Sequence, residues 1–182
     1  MKKALVIIDV QNDYFAGGAM ELEEMEAAAD NCRRLLEAFR SRQLPLIHVQ
    51  HIAAREGATF FIPGTPGCDI HQSVTPLENE KTIRKHYPNA FRETGLDEIL
   101  RGEDIEELVI CGAMSHMCID TSVRAAFDLG YRCTVIADAC ATRDLEYGGH
   151  RVAAADVQAA FMAALSAPFA AISLTEELLN EV

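Results

Sequence analysis

Asp9 and Cys118 are the residues whose types and settings point most directly to chemistry. Cys118 stands three residues after Ser115, a good helix N-cap, at the start of a stretch with helical spacing. The unpaired N–H groups and partial positive charge of a helix start favour a thiolate, the form in which cysteine attacks carbon. The competing reading is a small core residue on an Ala-rich helix. Asp9 closes an apolar run, where a carboxylate needs solvent, a partner or a task. It could also cap the turn that follows, although Asp13 suits that role better. Lys85 ends a short strand before His86-Tyr87-Pro88 and by itself reads as a solvated surface group. With Lys81 and Arg84 close by, residue chemistry alone does not single it out.

Histidines 48, 51, 71, 86, 116 and 150 raise the question of a metal. His48 and His51 fall on opposite faces of a strand, and Cys68 with His71 is a weak pair, so no metal ion bound directly by these side chains is expected. The Gly64-Thr65-Pro66-Gly67 run lacks the Lys-Ser/Thr ending and following helix of a phosphate loop, and reads as a plain loop.

The elements that must position these residues alternate between apolar runs and amphipathic stretches, the pattern of βαβ units on a parallel sheet. Strands are expected at 4–9, 45–50, 81–84, 107–111, 132–137 and 168–172, and helices at 21–42, 96–101, 115–129, 149–165 and 174–181. Ser173-x-x-Glu176 fits a capping box on the last helix, and Gly130 a helix stop. Residues 53–80 carry scattered Gly and Pro and are expected to be irregular. With no repeat or linker, residues 1–182 read as one domain: a three-layer α/β/α sandwich with a six-stranded, mainly parallel sheet of order 3-2-1-4-5-6. Such sheets bind ligands beyond the strand carboxyl ends where the order reverses. Strands one and four meet there, which brings Asp9 and Cys118, 109 positions apart, to one crevice.

Composition excludes several classes. Sixteen basic residues against 28 acidic ones leave a formal charge of −12, which opposes binding to a phosphate backbone, so nucleic acid is not an expected partner. No apolar run approaches the roughly 20 residues that span a bilayer, so no membrane partner is expected either. Asp9 interrupts the N-terminal apolar run short of a signal-peptide core, and a cytoplasmic protein is expected. The six cysteines form no close framework and read as reduced.

Three blocks then occur together and in order: Ala4-Leu5-Val6-Ile7-Ile8-Asp9-Val10-Gln11-Asn12-Asp13-Tyr14; Lys85 followed by Asn89-Ala90-Phe91 and Thr94-x-Leu96; and Gly112-Ala113-Met114-Ser115-His116-Met117-Cys118. With Gly130-Tyr131 and Asp138-Ala139, they make the chain resemble the isochorismatase-like cysteine hydrolases, which include nicotinamidases, N-carbamoylsarcosine amidases and ureidoacrylate amidohydrolases. The resemblance covers nearly the whole chain. It implies a triad of Asp9, Lys85 and Cys118, a cis peptide between Ala113 and Met114, and an oxyanion hole of the Met114 and Cys118 N–H groups. It also implies hydrolysis of a small amide or carbamoyl substrate through a thioester, no cofactor, and a homo-oligomer.

Departures narrow the substrate. The metal ligands of nicotinamidases are an Asp two residues before a strand His and a His four residues before the Gly-Thr-x-Gly loop. Here those positions are Val49 and Phe60. Isochorismatases proper generally lack the nucleophilic Cys, so Cys118 favours C–N hydrolysis. Two alternatives stay open: vinyl-ether hydrolysis with Asp9 as the acid, and a catalytically silent ligand-binding protein. Gln11, Tyr14, Phe15, Phe60, Tyr87 and Phe91 are the candidate pocket residues, and the aromatics among them could equally be core.

Overall fold

A computed structural model describes residues 1–181. The main sheet is built from β1 (Lys3–Ile8), β2 (Leu46–His51), β3 (Lys81–Lys85), β4 (Glu107–Ala113), β5 (Arg132–Ala141) and β8 (Ala171–Ser173), with β6 (Leu145–Tyr147) and β7 (His150–Val152) as a separate hairpin. The spatial order is β3-β2-β1-β4-β5-β8, and each of its five pairings is parallel. This is the expected 3-2-1-4-5-6 order. Its sixth member is the eighth strand of the chain only because the hairpin strands stand apart.

Helices cover both faces, which is why the central strands are almost unbroken Val, Ile, Leu and Ala. On one face Leu5, Ile7, Val109 and Cys111 pack against Cys32, Leu35, Leu36 and Phe39 of α1 (Met25–Ser41), with Leu178 of α5 (Thr175–Glu181) alongside. On the other face Val6, Ile8, Leu108 and Ile110 meet α2 (Leu96–Gly102), α3 (Asp120–Asp128) and α4 (Ala154–Leu165) through Leu100, Val123, Ala126 and Leu165. The stripe at 25, 28, 29, 32, 35, 36 and 39 is the apolar face that makes α1 a helix, since those positions recur every three or four residues. Residues 53–80 hold only two short 3-10 turns, Pro66–Cys68 and Gln72–Val74. No helix among the described residues is long and apolar enough to cross a membrane.

Several local expectations need correction, among them the strand expected at 168–172, observed at Ala171–Ser173, and the helix expected from 21, which starts at Met25. The expected helix at 149–165 begins at Ala154, because Gly148 and Gly149 both take positive φ and turn the chain into the hairpin. The expected strand at 132–137 runs on to Ala141. Its register against β4 jumps from Ile110↔Val135 to Gly112↔Cys140, and the bulge lets Asp138 accept bonds from the Thr175 N–H and hydroxyl. The last helix is capped one residue later than Ser173-x-x-Glu176 suggests: Glu177 accepts from the Leu174 N–H, while Glu176 pairs with Arg34. Finally, Ser115 is not an N-cap. Its hydroxyl bonds the Ala141 carbonyl and Gln158, and residues Ser115–Ile119 form a single π turn before α3 starts at Asp120.

Candidate active site

Three strand ends converge where the sheet order reverses. Asp9 follows β1 directly and turns into the left-handed region at φ 54°, a conformation that Asp tolerates better than most residues. Lys85 is the last residue of β3, opposite His51 at the end of β2. Cys118 lies in the π turn that follows β4. The parallel register therefore brings 9, 51, 85 and 118 to the same rim of the sheet.

Contacts at that rim are short. Lys85 Nζ stands 2.8 Å from Asp9 Oδ2 and 3.2 Å from Cys118 Sγ. It also stands 2.8 Å from His51 Nδ1 and 3.2 Å from the Tyr87 carbonyl. Asp9 and Lys85 are fully buried, and Cys118 is 5% exposed. No hydrogen bond of good geometry reaches either Asp9 carboxylate oxygen among the described residues, so the Lys85 ammonium is the compensation for that buried charge.

Burial dominates the electrostatics. It pushes the Cys118 thiol well up, with Asp9 reinforcing and Lys85 opposing the shift. Desolvation works against the Lys85 ammonium, but Asp9 opposes it most strongly, Cys118 adds an acceptor for one of its protons, and the net shift is upward. Beside Asp9 the resting site thus favours an ammonium on Lys85 and a neutral thiol on Cys118, rather than the thiolate expected from a helix start. The helix argument fails because the π turn separates Cys118 from the α-helix, and desolvation, the largest influence on the thiol, favours its neutral form. His51 is brought down to about 4 by burial and by the neighbouring Lys85 charge, and is neutral at physiological pH.

The peptide between Ala113 and Met114 is cis. The Met114 carbonyl accepts from the N–H groups of Met117 and Ile119, at 3.0 and 3.2 Å. The Cys118 N–H between them makes no bond to that carbonyl among the described residues. Gly112, at φ +119°, is obligatory here: a Cβ would collide with the Ile8 carbonyl on β1, just before Asp9.

The pocket candidates divide. Tyr14 is buried against Phe61 at 4.6 Å, with Phe60 behind at 6.2 Å, and its hydroxyl is pushed up by burial and then by Cys118 and Asp9. Tyr87 offers its carbonyl to Lys85, while its ring lies under Arg92. Gln11 is used structurally: its amide donates to the His51 and Cys68 carbonyls and accepts from the His51 N–H. Phe15 stacks on His71 at 3.7 Å and Phe91 on Tyr131 at 6.1 Å, both as packing. Asp13 is more than a cap, because it accepts from the N–H groups of Phe61 and Ala19 and so gathers the long loop over the site.

His51 and Phe61 are the neighbours that residue reasoning did not place in the site. The register of β2 against β3 is the signal that finds His51, and it exists only once the strands are paired. Donor atoms of Asp9, His51 and Cys118 lie within 4.8 Å of one another, but Lys85 contacts all three and acts as their tethered cation. The nicotinamidase metal set does not fit this chain: Val49 is a buried aliphatic residue, Phe60 is part of the aromatic cluster, and neither can ligate.

Residues 3–176 match the isochorismatase domain family. The chain belongs to that family. It is 50% identical to an uncharacterized isochorismatase family protein, YddQ, of Bacillus subtilis over 180 residues, 99% of this chain and all of that one. It is 27% identical to the nicotinamidase of Escherichia coli, across 76% of this chain and 82% of that one. The crystal structure of an isochorismatase from Pseudomonas putida KT2440 superposes with a TM-score of 0.91 at 39% identity, covering 96% and 89% of the two chains.

Proposed function

We propose that this isochorismatase-family hydrolase cleaves the C–N bond of a small carboxamide or carbamoyl compound through a thioester on Cys118. The observation that carries the reading is the buried contact set of Lys85 Nζ, 2.8 Å from Asp9 and 3.2 Å from Cys118 Sγ. A thiol, a carboxylate and an ammonium in one dry site are what acyl transfer by a cysteine requires.

The resting thiol keeps its proton until substrate arrives. As Sγ bonds to the carbonyl carbon, its proton passes to Asp9, and Lys85 offsets the negative charge that moves through the site. The N–H groups of Met114 and Cys118 hold the tetrahedral oxyanion, a contribution of about 3–4 kcal/mol per donor in comparable enzymes. Protonated Asp9 gives its proton to the leaving nitrogen, the C–N bond breaks, and ammonia or an amine departs. Asp9 then takes a proton from water as the oxygen attacks the thioester. The acid leaves, and Cys118 regains its proton. The E. coli relative named a nicotinamidase supports an amide substrate.

The test is Cys118→Ala, with ammonia or amine release measured over a panel of small carboxamides, ureas and carbamoyl compounds. Turnover is expected to fall by at least about 10³-fold with the fold intact. Undiminished turnover would remove the thiol from the chemistry and end the thioester mechanism.

A further inference from the structure

The cysteine-hydrolase cycle depends on where the Lys85 ammonium points. An ammonium has three protons and no lone pair, yet four acceptors surround this one: Asp9 Oδ2, His51 Nδ1, Cys118 Sγ and the Tyr87 carbonyl. Left to itself, a buried ammonium collapses onto the carboxylate, its strongest partner. We infer that His51 is a positioning residue: its neutral Nδ1 accepts one Lys85 proton and so keeps the ammonium shared between Asp9 and the Cys118 sulfur. The inference rests on the cysteine-hydrolase reading and adds a fourth working side chain to it.

Three observations support that role. First, Lys85 can only donate, so Nδ1 can only accept; this fixes the imidazole as the neutral tautomer with its proton on Nε2. Second, the His51 backbone is anchored at the end of β2. Its N–H donates to Gln11 Oε1 at 2.7 Å, its carbonyl accepts from Gln11 Nε2 at 2.9 Å, and its ring lies 5.7 Å from Phe61. Both ends of the Gln11 amide reach this one backbone position, while its NH2 group also donates to the Cys68 carbonyl, which ties the end of β2 to the loop beside the site. Third, His51 and Lys85 are paired partners at the ends of adjacent strands, so the sheet itself sets the reach between them. The charged and titratable groups around the ring are Lys85, Asp9, Cys118 and His86. Lys85 and His86 disfavour an imidazolium and Asp9 favours it, with burial the largest influence and directed against the charge.

Two substitutions separate positioning from packing. His51→Leu fills similar space without an acceptor, and His51→Asn keeps an acceptor close to the Nδ1 position. Each is compared with wild type for kcat and KM on an amide that the wild type hydrolyses, and for the rate of iodoacetamide labelling at Cys118 at pH 8, followed by peptide mass. His51→Leu is expected to lower kcat by about 10–100-fold with KM within about threefold, the effect of losing one bond to a charged group. Labelling should slow by a similar factor, because a wandering ammonium no longer supports the thiolate. His51→Asn is expected to recover both to within about fivefold.

Wild-type rates in His51→Leu would overturn the inference, as would equal losses in Leu and Asn, which would mark a purely structural role. His51→Phe serves as the acceptor-free variant if Leu does not fold. The labelling readout needs no substrate, so it still judges His51 if the wild type hydrolyses no amide in the panel, an outcome that would instead sink the cysteine-hydrolase reading.

Discussion

Lys85→Met is the perturbation that most directly tests the electrostatics of this site. It keeps the length and apolar stem of the side chain and removes only the ammonium. In the native protein that ammonium lies 2.8 Å from Asp9 Oδ2, with both side chains fully buried and no hydrogen bond of good geometry to the carboxylate among the described residues. Removing one partner of such a pair strands the other charge, which typically costs about 3–5 kcal/mol, a large share of the roughly 5–15 kcal/mol that stabilises a domain. For a chain of this length the loss corresponds to a drop in Tm of about 6–20 °C.

Its pH dependence follows from the stranded charge. The folded variant relieves the cost by taking up a proton at Asp9, so it binds more protons than its unfolded state, and the deficit shrinks as pH falls. Urea unfolding at pH 8 and pH 5 reads this as a shift of midpoint at constant slope. The double substitution Asp9→Asn with Lys85→Met removes the stranded charge and is expected to recover at least half of the loss at pH 8 while remaining inactive. A Lys85→Met deficit below about 1 kcal/mol at pH 8, or one that does not change between pH 8 and pH 5, would refute the claim that Lys85 compensates a desolvated Asp9.

Other consequences can be checked on the same footing. Gly112→Ala forces a Cβ into the Ile8 carbonyl at φ +119°, and should lose about 2–5 kcal/mol in urea unfolding while spreading β1 from β4 and lowering activity; an intact midpoint would contradict the close approach. Glu80 lies at the opposite end of the sheet from the rim. Burial alone would raise its carboxyl, but Arg40, the Leu77 N–H and His48 bring it from 4.5 down to about 2. The stability it contributes, about 2–3 kcal/mol, is fully present above pH 4.5 and is lost as pH falls towards 2. Glu80→Gln should therefore lower stability at pH 7 and flatten the acid limb between pH 4.5 and 2, and an unchanged limb measured by urea titration would remove this network from the account.

Local pattern was enough for much of the fold. The apolar runs and the 25-to-39 stripe identify the strands and α1 because side-chain periodicity is a property of neighbours along the chain. Asp9 was legible as a carboxylate at the end of a buried strand, and Cys118 as a thiol just past another, because parallel α/β sheets put function at strand ends. The Gly148-Gly149 dipeptide was a hairpin signal in plain view, but the Ala-rich stretch after it reads equally well as helix.

What the chain could not disclose by itself depends on register and desolvation. Lys81, Arg84 and Lys85 look alike in the sequence, and only the pairing of β3 with β2 places Lys85 beside His51 and above the β1 exit. Ser115 looked like a cap until β5 and α4 supplied the Ala141 carbonyl and Gln158 as stronger partners. The protonation of Cys118 could not be read from its position after a strand, because burial by elements far away in sequence is the largest influence on its thiol and favours the neutral form. Neighbours along the chain determine what a segment can become, whereas charge and partner choice in a dry site depend on atoms that only folding brings within a few ångströms.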